Sequence, residues 1–142
     1  MKVKDLMTQR VEAANQQTPI RDVAKTMKEL NVGAIPICDD DNRPVGIVTD
    51  RDLVVRGIVE GFDINSQVEQ IMSNHVVYAS PEMDIHEAAK LMGSHQIRRL
   101  PVVDQGKMVG MISIGDMAVE GIHENEAGEA LGEISHPAKP WM

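Results

Sequence analysis

Gly46-Ile47-Val48-Thr49-Asp50-Arg51-Asp52 is the stretch that decides the fold, because a second version of it follows as Gly110-Met111-Ile112-Ser113-Ile114-Gly115-Asp116. In both versions an apolar run ends at a hydroxyl residue, and an aspartate stands three positions later. This pattern predicts a buried strand that turns directly into a helix, with Thr49 or Ser113 at the N-cap.

The hydroxyl and the aspartate also form the pattern of a capping box, in which each side chain bonds to the other residue's backbone N–H. Such a cap stabilises a helix by about 0.5–2 kcal/mol. A single copy of the pattern therefore has a sufficient structural explanation. A ligand-binding interpretation depends on the rest of the repeat.

The composition limits the kinds of protein that this chain can be. Its 142 residues are 42% hydrophobic but only 2% aromatic, which predicts an aliphatic core. A net charge of −8 argues against sequence-independent nucleic-acid binding, which needs a basic face. The scarcity of aromatic residues also excludes a base-stacking platform. We therefore expect no nucleic-acid partner.

Cysteine usage and the absence of long apolar runs indicate where the protein resides. Because Cys38 is the single cysteine, it cannot form an internal disulfide, which fits a protein of a reducing compartment. It stands in an apolar run, which fits a core position. The first residues show no signal-peptide pattern, and no apolar run approaches the ~18 residues of a membrane span. The sequence predicts a cytoplasmic protein with no membrane partner.

The repeated stretch belongs to an internal duplication. Residues 3–39 align with residues 68–104, and residues 45–58 align with residues 109–122, so one residue was lost between the two blocks. Each copy is too short for a comfortable independent domain, which predicts two half-domains that share one core. The predicted boundaries are repeat 1 at residues 1–60, a linker at 61–67, repeat 2 at 68–123, and a C-terminal extension and tail at 124–142.

Both repeats predict the same β-α-β-β-α order, after one opening helical turn at Val3–Met7 or Val68–Met72. The predicted strands are Val11–Ala14, Ala34–Cys38 and Val45–Val48 in repeat 1, and Val76–Ala79, Leu100–Val103 and Val109–Ile112 in repeat 2. The predicted helices are Pro19–Leu30, capped by Thr18, Ile85–His95, capped by Asp84, and two that begin near Asp50 and Gly115. A further helix is predicted at Glu124–Ile134 and a mobile tail at Ser135–Met142. The predicted class is α/β.

This arrangement resembles the CBS domain, named after cystathionine β-synthase. The likeness rests on the Val-x-x-Leu/Ile-Met opening, on Val32–Ile37 and Ile97–Val102, and on the Gly-h-h-Thr/Ser-x-x-Asp corner, where h is apolar. It covers residues 3–122 and implies two CBS repeats packed into one pseudo-twofold pair. It also implies a regulatory module that binds an adenine-containing ligand in clefts between the repeats. Many members dimerise through their helices into a flat disc, so we expect a homodimer.

The corner offers chemistry that suits a ribose phosphate. The helix N-terminus and the hydroxyl favour a phosphate, and the carboxylate can accept two hydrogen bonds from the ribose diol. Glycines 46 and 110 lack a Cβ, which would let another group approach the strand closely. The resemblance carries the ligand-binding role over to Thr49, Asp52, Ser113 and Asp116.

The two predicted clefts differ in charge. Arg98 and Arg99 stand where the family often places a His-Arg pair, whereas repeat 1 has Gly33 and Ala34 there. Charged hydrogen bonds to phosphate are worth ~1.5–3 kcal/mol, so the second cleft is expected to be the better anion site. The alternative is that both arginines are solvated surface charges. Candidate base contacts, which fit ordinary core positions equally well, are Val76, Tyr78 and Pro101 in repeat 2 and Val11, Ala13 and Pro36 in repeat 1.

The sequence is compatible with three functions to different degrees. The leading hypothesis is a non-enzymatic sensor of AMP, ADP, ATP or a related adenosyl compound, with no required cofactor and a separate protein as its regulated partner. The second is a ligand-free dimerisation or scaffold module. An enzyme is disfavoured, because the five histidines show no metal-ligand spacing and no serine nucleophile elbow occurs. The run Asp39-Asp40-Asp41 indicates a solvated turn, with a divalent-ion site as the alternative.

Overall fold

The computed structural model describes residues 1–9, 11–119 and 124–134. Its helices are α1 Val3–Leu6, α2 Ile20–Leu30, α3 Asp50–Asp52, α4 Ile85–His95, α5 Ile114–Val119 and α6 Glu124–Ile134. A π-helix, Leu53–Ile58, continues α3, and a single 3₁₀ turn spans Val68–Gln70. The strands are β1 Ala34–Cys38, β2 Pro44–Thr49, β3 Arg99–Asp104 and β4 Lys107–Ser113. The predicted tail at Ser135–Met142 lies outside the described residues.

The chain divides into two compact units. The first-repeat unit comprises Arg10–Val76 and Gln105–Met108. The second-repeat unit comprises Met1–Gln9, Val77–Asp104 and Val109–Met142. Each contains one small antiparallel sheet, β1–β2 or β3–β4, and a core of aliphatic and methionine side chains. This mixed architecture with two repeats confirms the predicted fold class.

The long helices begin and end as local chemistry dictates. Helix α4 starts after Asp84, whose carboxylate accepts a 2.8 Å hydrogen bond from the His86 N–H, so the predicted cap is confirmed. Both α2 and α4 end at a residue in the left-handed conformation, Asn31 or Gln96, a common helix terminator. The predicted Thr18 cap is wrong, because Pro19 occupies the N-cap and the Thr18 hydroxyl pairs with Asn15 instead.

The first strand of each repeat is shorter than predicted. Residues 11–14 and 76–79 each form one isolated parallel bridge, Ala14 with Ile37 and Ala79 with Val102. The Ala14 N–H donates to the Pro36 carbonyl at 3.1 Å, and the Ala79 N–H donates to the Pro101 carbonyl at 2.9 Å. The predicted strands Val11–Ala14 and Val76–Ala79 are therefore wrong in length. Only their last residues pair, because the remaining backbone follows no neighbouring strand.

The opening segments are exchanged between the units. Residues 68–73, which open the second repeat in sequence, lie in the first-repeat unit, where Ser73 bridges to Ile47 of β2. Val68 is fully buried there. Residues 1–9 lie in the second-repeat unit, where Thr8 bridges to Met111 of β4 and Val3 is fully buried. Each core is thus completed by the opening segment of the other repeat.

The N-terminal segment is also held by surface charges. Glu82 accepts hydrogen bonds from the ammonium groups of Lys2 and Lys4. These bonds, reinforced by the two positive charges, lower the pKa of Glu82 to about 2. The hydrogen bond to Glu82 in turn raises the pKa of the Lys4 ammonium group. The segment is therefore attached by a salt-sensitive contact as well as by Val3.

Within residues 1–9, 11–119 and 124–134, no helix is both long and apolar enough to cross a lipid bilayer.

Candidate functional site

The corner after β2 is closed by a reciprocal pair of hydrogen bonds. Thr49 is the N-cap of α3, and its hydroxyl accepts from the Asp52 N–H at 3.1 Å. The Asp52 carboxylate returns the contact by accepting from the Thr49 N–H at 2.9 Å through Oδ2. The capping box predicted from the sequence is confirmed.

The corner after β4 repeats this geometry. Ser113 Oγ accepts from the Asp116 N–H at 3.1 Å, and Asp116 Oδ2 accepts from the Ser113 N–H at 2.9 Å. Both residues are half-buried, as their counterparts Thr49 and Asp52 are. The same four-residue sequence pattern has thus folded twice into the same local structure.

Each corner keeps bonding capacity that the cap does not use. A capping hydroxyl only accepts, so the hydroxyl hydrogens of Thr49 and Ser113 stay available for donation. Oδ1 of Asp52 lies 3.8 Å from Nε of Arg56. Oδ1 of Asp116 has no hydrogen-bond or ion-pair partner among the described residues. Each corner can therefore offer one donor and one acceptor, with the Asp116 oxygen the less engaged.

The corner glycines serve the protein's own packing. A Cβ added at Gly46 would lie 2.6 Å from Met72 Sδ and 2.8 Å from the Ser73 carbonyl oxygen. A Cβ at Gly110 would lie 2.7 Å from the Thr8 carbonyl oxygen. The prediction of a close approach at these glycines is correct, but the approaching groups are the exchanged opening segments.

The two corners differ in the charge beside them. The Asp50 N–H donates to the Gly33 carbonyl at 2.9 Å, and the Ile114 N–H donates to the Arg98 carbonyl at the same distance. A Cβ at Gly33 would lie 3.1 Å from Asp50 Oδ2, so a carboxylate fills this place in the first-repeat unit. The second-repeat unit has an apolar residue and an exposed arginine instead.

Asp50 was missed by the sequence reasoning. The alignment of the two copies could have revealed it, because the first copy has the acidic residue Asp50 at the position where the second copy has the apolar residue Ile114.

The other residues predicted to contact the ligand differ in their exposure and are divided between the two units. Arg98 and Ala13 are exposed, and Tyr78 is 54% exposed. Partly buried positions are Arg99, Val11 and Val76, whereas Pro36 and Pro101 are buried in β1 and β3. In the second-repeat unit, Tyr78 directly precedes Ala79, which bonds to Pro101, and Arg98 bonds to the Ser113 corner. Val76 falls in the first-repeat unit with Val11, Ala13 and Pro36.

The remaining candidate groups are accounted for by local structure. Asp39 Oδ1 accepts from the backbone N–H groups of Asp41 and Arg43, which closes the acidic turn. Among the described residues, no three His, Cys, Asp or Glu side chains are grouped to hold a metal ion. Cys38 is buried, and burial, aided by the nearby Asp39 charge, raises the pKa of its thiol.

Known proteins share both the sequence pattern and the fold. The pattern of the CBS domain matches residues 3–57 and residues 68–120. The CBS domain-containing protein YhcV of Bacillus subtilis is 42% identical over 134 residues, which is 94% of this chain and 95% of that protein.

Two solved structures are also similar. The CBS domain pair of protein MJ0100, in complex with 5′-methylthioadenosine and S-adenosyl-L-methionine, has a TM-score of 0.76 at 25% identity, covering 87% of this chain and 98% of that one. Hypoxic Response Protein I, solved with two coordinated zinc ions, has a TM-score of 0.79 at 32% identity, covering 84% and 98%. Together with the two matched segments, these likenesses establish that the chain belongs to the CBS-domain family and carries two copies of the domain.

Proposed function

We propose that this protein is a non-catalytic regulatory module that binds an adenosine-containing ligand, AMP, ADP, ATP or a related adenosyl compound, at its two strand-to-helix corners. The observation that carries the proposal is the duplicated corner, in which Thr49 with Asp52 and Ser113 with Asp116 each retain a hydroxyl donor and a carboxylate oxygen. The complex of the MJ0100 pair with two adenosyl compounds supports the ligand class.

The chemistry of the corner matches the two ends of a ribose phosphate. The hydroxyl donates to a phosphate oxygen, and the free carboxylate oxygen accepts from the ribose diol. Carboxylate and phosphate repel each other, so the carboxylate discriminates between the two ends of the ligand. Neither contact requires the capping box to open.

The charges beside the corners favour different ligands. Arg98 lies next to the Ser113 corner and is exposed, so a phosphorylated nucleotide is stabilised there. Asp50 stands at the Thr49 corner, where its charge repels a phosphate. That corner suits an adenosyl compound without phosphate. The candidate base contact Tyr78 and the candidate phosphate contact Arg99 are assigned to the same second-repeat site.

Signalling would pass through a homodimer and a separate regulated protein. The described surface exposes several large apolar side chains, which supports self-association. Ligand binding at the corners would then stabilise one arrangement of the helices that follow them.

One observation favours the alternative, a ligand-free scaffold. All four corner residues are already engaged in capping boxes, which alone explain why they are present. In that case the corners would carry no ligand, and only the self-association would be functional.

Thermal unfolding with candidate ligands separates the two functions. AMP, ATP, NAD, S-adenosylmethionine and 5′-methylthioadenosine are each added at millimolar concentration. A ligand at 100 times its Kd adds about 2.7 kcal/mol, which raises the Tm of a chain this size by roughly 10 °C. The variant D52A/D116A should lose the shift. No shift with any of the five compounds would refute the sensor and leave the scaffold.

A further inference from the structure

We infer that Arg56 is a positioning residue that couples ligand binding at the Thr49 corner to the attachment of the opening segment, residues 68–73, to β2. The inference rests on the proposed function, because the coupling needs a ligand on Asp52. It names the part of the chain that responds to that ligand, and it assigns the response to the first repeat alone.

Arg56 contacts the corner and the opening segment at the same time. Its Nε lies 3.8 Å from Asp52 Oδ1, and its Nη1 donates a 3.3 Å hydrogen bond to the Met72 carbonyl. A guanidinium carries five N–H groups in a fixed plane, so one side chain can serve two acceptors in different directions. Arg56 therefore links the carboxylate that is proposed to bind the ribose directly to residues 68–73.

The Met72 carbonyl depends on this link. Met72 is only 9% exposed, and Arg56 supplies the only hydrogen bond that its carbonyl receives from the described residues. Buried carbonyl groups without a partner are rare because they are costly. A movement of the guanidinium away from Met72 therefore weakens the attachment of the opening segment.

The opening segment and the corner lie on the same strand. Ser73 and Ile47 exchange two backbone hydrogen bonds, with the Ser73 N–H donating at 2.8 Å and the Ile47 N–H at 3.0 Å. Ile47 precedes Thr49 on β2, and the Thr49 N–H donates to Asp52. The two contacts of Arg56 therefore complete a closed series of contacts that begins and ends on β2.

The arginine is placed so that its contacts can change. Asp52 precedes Arg56 by four residues, which is the more favourable order for an acid and a base on one helical face. The Asp52 side chain is 17% exposed, whereas the Arg56 side chain is 52% exposed. An ion pair with such an exposed member is weak in water. A change in the surroundings of Asp52 can therefore alter how firmly Arg56 is held.

A ligand at the corner strengthens both contacts of Arg56. A separation of 3.8 Å is too long for a hydrogen bond, so Asp52 Oδ1 keeps lone pairs for the ribose diol. The ligand displaces water beside the ion pair, and opposite charges attract more strongly when water is excluded. A guanidinium held more firmly at Asp52 is also held where it donates to Met72. By linkage, the attached segment raises the affinity for the ligand by the same factor.

The second repeat lacks this link. The duplication places Glu120 at the position of Arg56, and a glutamate carboxylate has no N–H to donate to a carbonyl. The equivalent of Met72 is Met7, whose carbonyl receives no hydrogen bond from the described residues. Ligand binding at the Ser113 corner is therefore not transmitted to residues 1–9 in this way.

Hydrogen exchange on the full chain measures the coupling. The probe for the first corner is 5′-methylthioadenosine, which carries no phosphate, and its binding is followed in parallel by calorimetric titration. At saturation it should slow exchange of the Ser73 and Ile47 N–H groups about fivefold or more in the wild type, near the lower end of typical couplings between sites. The Thr8 and Met111 N–H groups form the equivalent bridge in the second-repeat unit and should slow less than about twofold.

Arg56→Met removes the guanidinium and nearly preserves the length of the side chain. It should abolish the ligand-induced slowing at Ser73 and raise the Kd for 5′-methylthioadenosine about fivefold, as reciprocity requires. Arg51→Met, which removes an exposed arginine close by on α3, is the matched control and should change neither quantity. In an Asp52→Asn background, adding Arg56→Met should leave the Kd unchanged, because Arg56 acts through the Asp52 charge.

The possible failures are distinguishable. Slowing at Ser73 that persists in Arg56→Met, or equal slowing at the N–H groups of both bridges, would overturn the inference and leave the sensor intact. Faster exchange at Ser73 in ligand-free Arg56→Met, with the same ligand-induced slowing as in the wild type, would reduce Arg56 to a structural role and also overturn it. If neither 5′-methylthioadenosine nor AMP binds the wild type, the sensor is refuted and the inference fails with it.

Discussion

Replacing Asp116 by alanine tests the asymmetry between the two corners. The free Oδ1 of Asp116 can accept hydrogen bonds from a ribose diol, and a charged hydrogen bond is worth about 1.5–3 kcal/mol. The Kd for AMP should therefore rise about 10- to 100-fold. The variant also loses the bond from the Ser113 N–H, which should lower the free energy of unfolding by about 0.5–2 kcal/mol.

Asp52→Ala is the matched control, because it removes the same cap from the other corner. Its stability loss should be similar. Its effect on AMP should be less than about threefold, because Asp50 repels a phosphate from that corner and Arg98 attracts it to the other. Calorimetric titration of both variants with AMP, alongside urea unfolding, measures the two effects separately. Equal losses of AMP affinity would show that the ranking of the corners is wrong, and unchanged affinity in both would leave the carboxylates as caps.

Three further outcomes follow from the packing and the charges. Gly46→Ala should destabilise the protein by about 1–3 kcal/mol in urea, because its Cβ would overlap the opening segment, whereas Gly132→Ala, in open space on α6, should not. Glu82→Gln should lower the urea midpoint at pH 7 but not near pH 2. The ion pairs of Glu82 stabilise the fold fully above its ordinary pKa of 4.5 and are lost as the pH falls through about 2, and 1 M salt should weaken them. Cys38 should react with a thiol reagent only after unfolding, because burial shields it and raises its pKa.

The long helices and the sheet strands could be predicted from the sequence. The bounds of α4, α6 and β1 agree with the predicted ones. These elements depend on signals that are local in sequence, which are the period of the apolar residues, a capping residue and a polar turn. The capping boxes at Thr49 and Ser113 belong to the same class, because each needs only four consecutive residues.

The exchange of the opening segments could not be predicted in this way. Val3 and Val68 open two copies of the same pattern, and either would fit either sheet by its apolar spacing. The choice is made by contacts between distant residues, such as Thr8 with Met111 and Ser73 with Ile47. The π-helix Leu53–Ile58 was not predicted, because the segment is too short for the spacing of its apolar residues to indicate i to i−5 hydrogen bonds.

Only part of the charge difference between the two corners could be predicted from the sequence. The arginines were noticed because they add charge to an acidic chain, whereas Asp50 was taken as part of the repeated motif. Its proximity to Gly33 depends on a backbone hydrogen bond between the residue before β1 and the start of α3, which requires the sheet to be in place. Burial of Pro36 and Pro101 is likewise a property of the assembled sheets.

The placement of residues 1–9 has a consequence for synthesis on the ribosome. The buried core of the first-repeat unit is complete once residues 68–73 have been made, although Gln105–Met108 join the unit later, so this core is the first that can close. Thr8 must wait for Met111, which at about 5–20 residues per second is made roughly 5–20 s later. During that interval the amino-terminal residues remain without their final neighbours. Slower translation of the residues between Thr8 and Met111 should therefore leave the amino-terminal segment of the nascent chain exposed to proteases for longer.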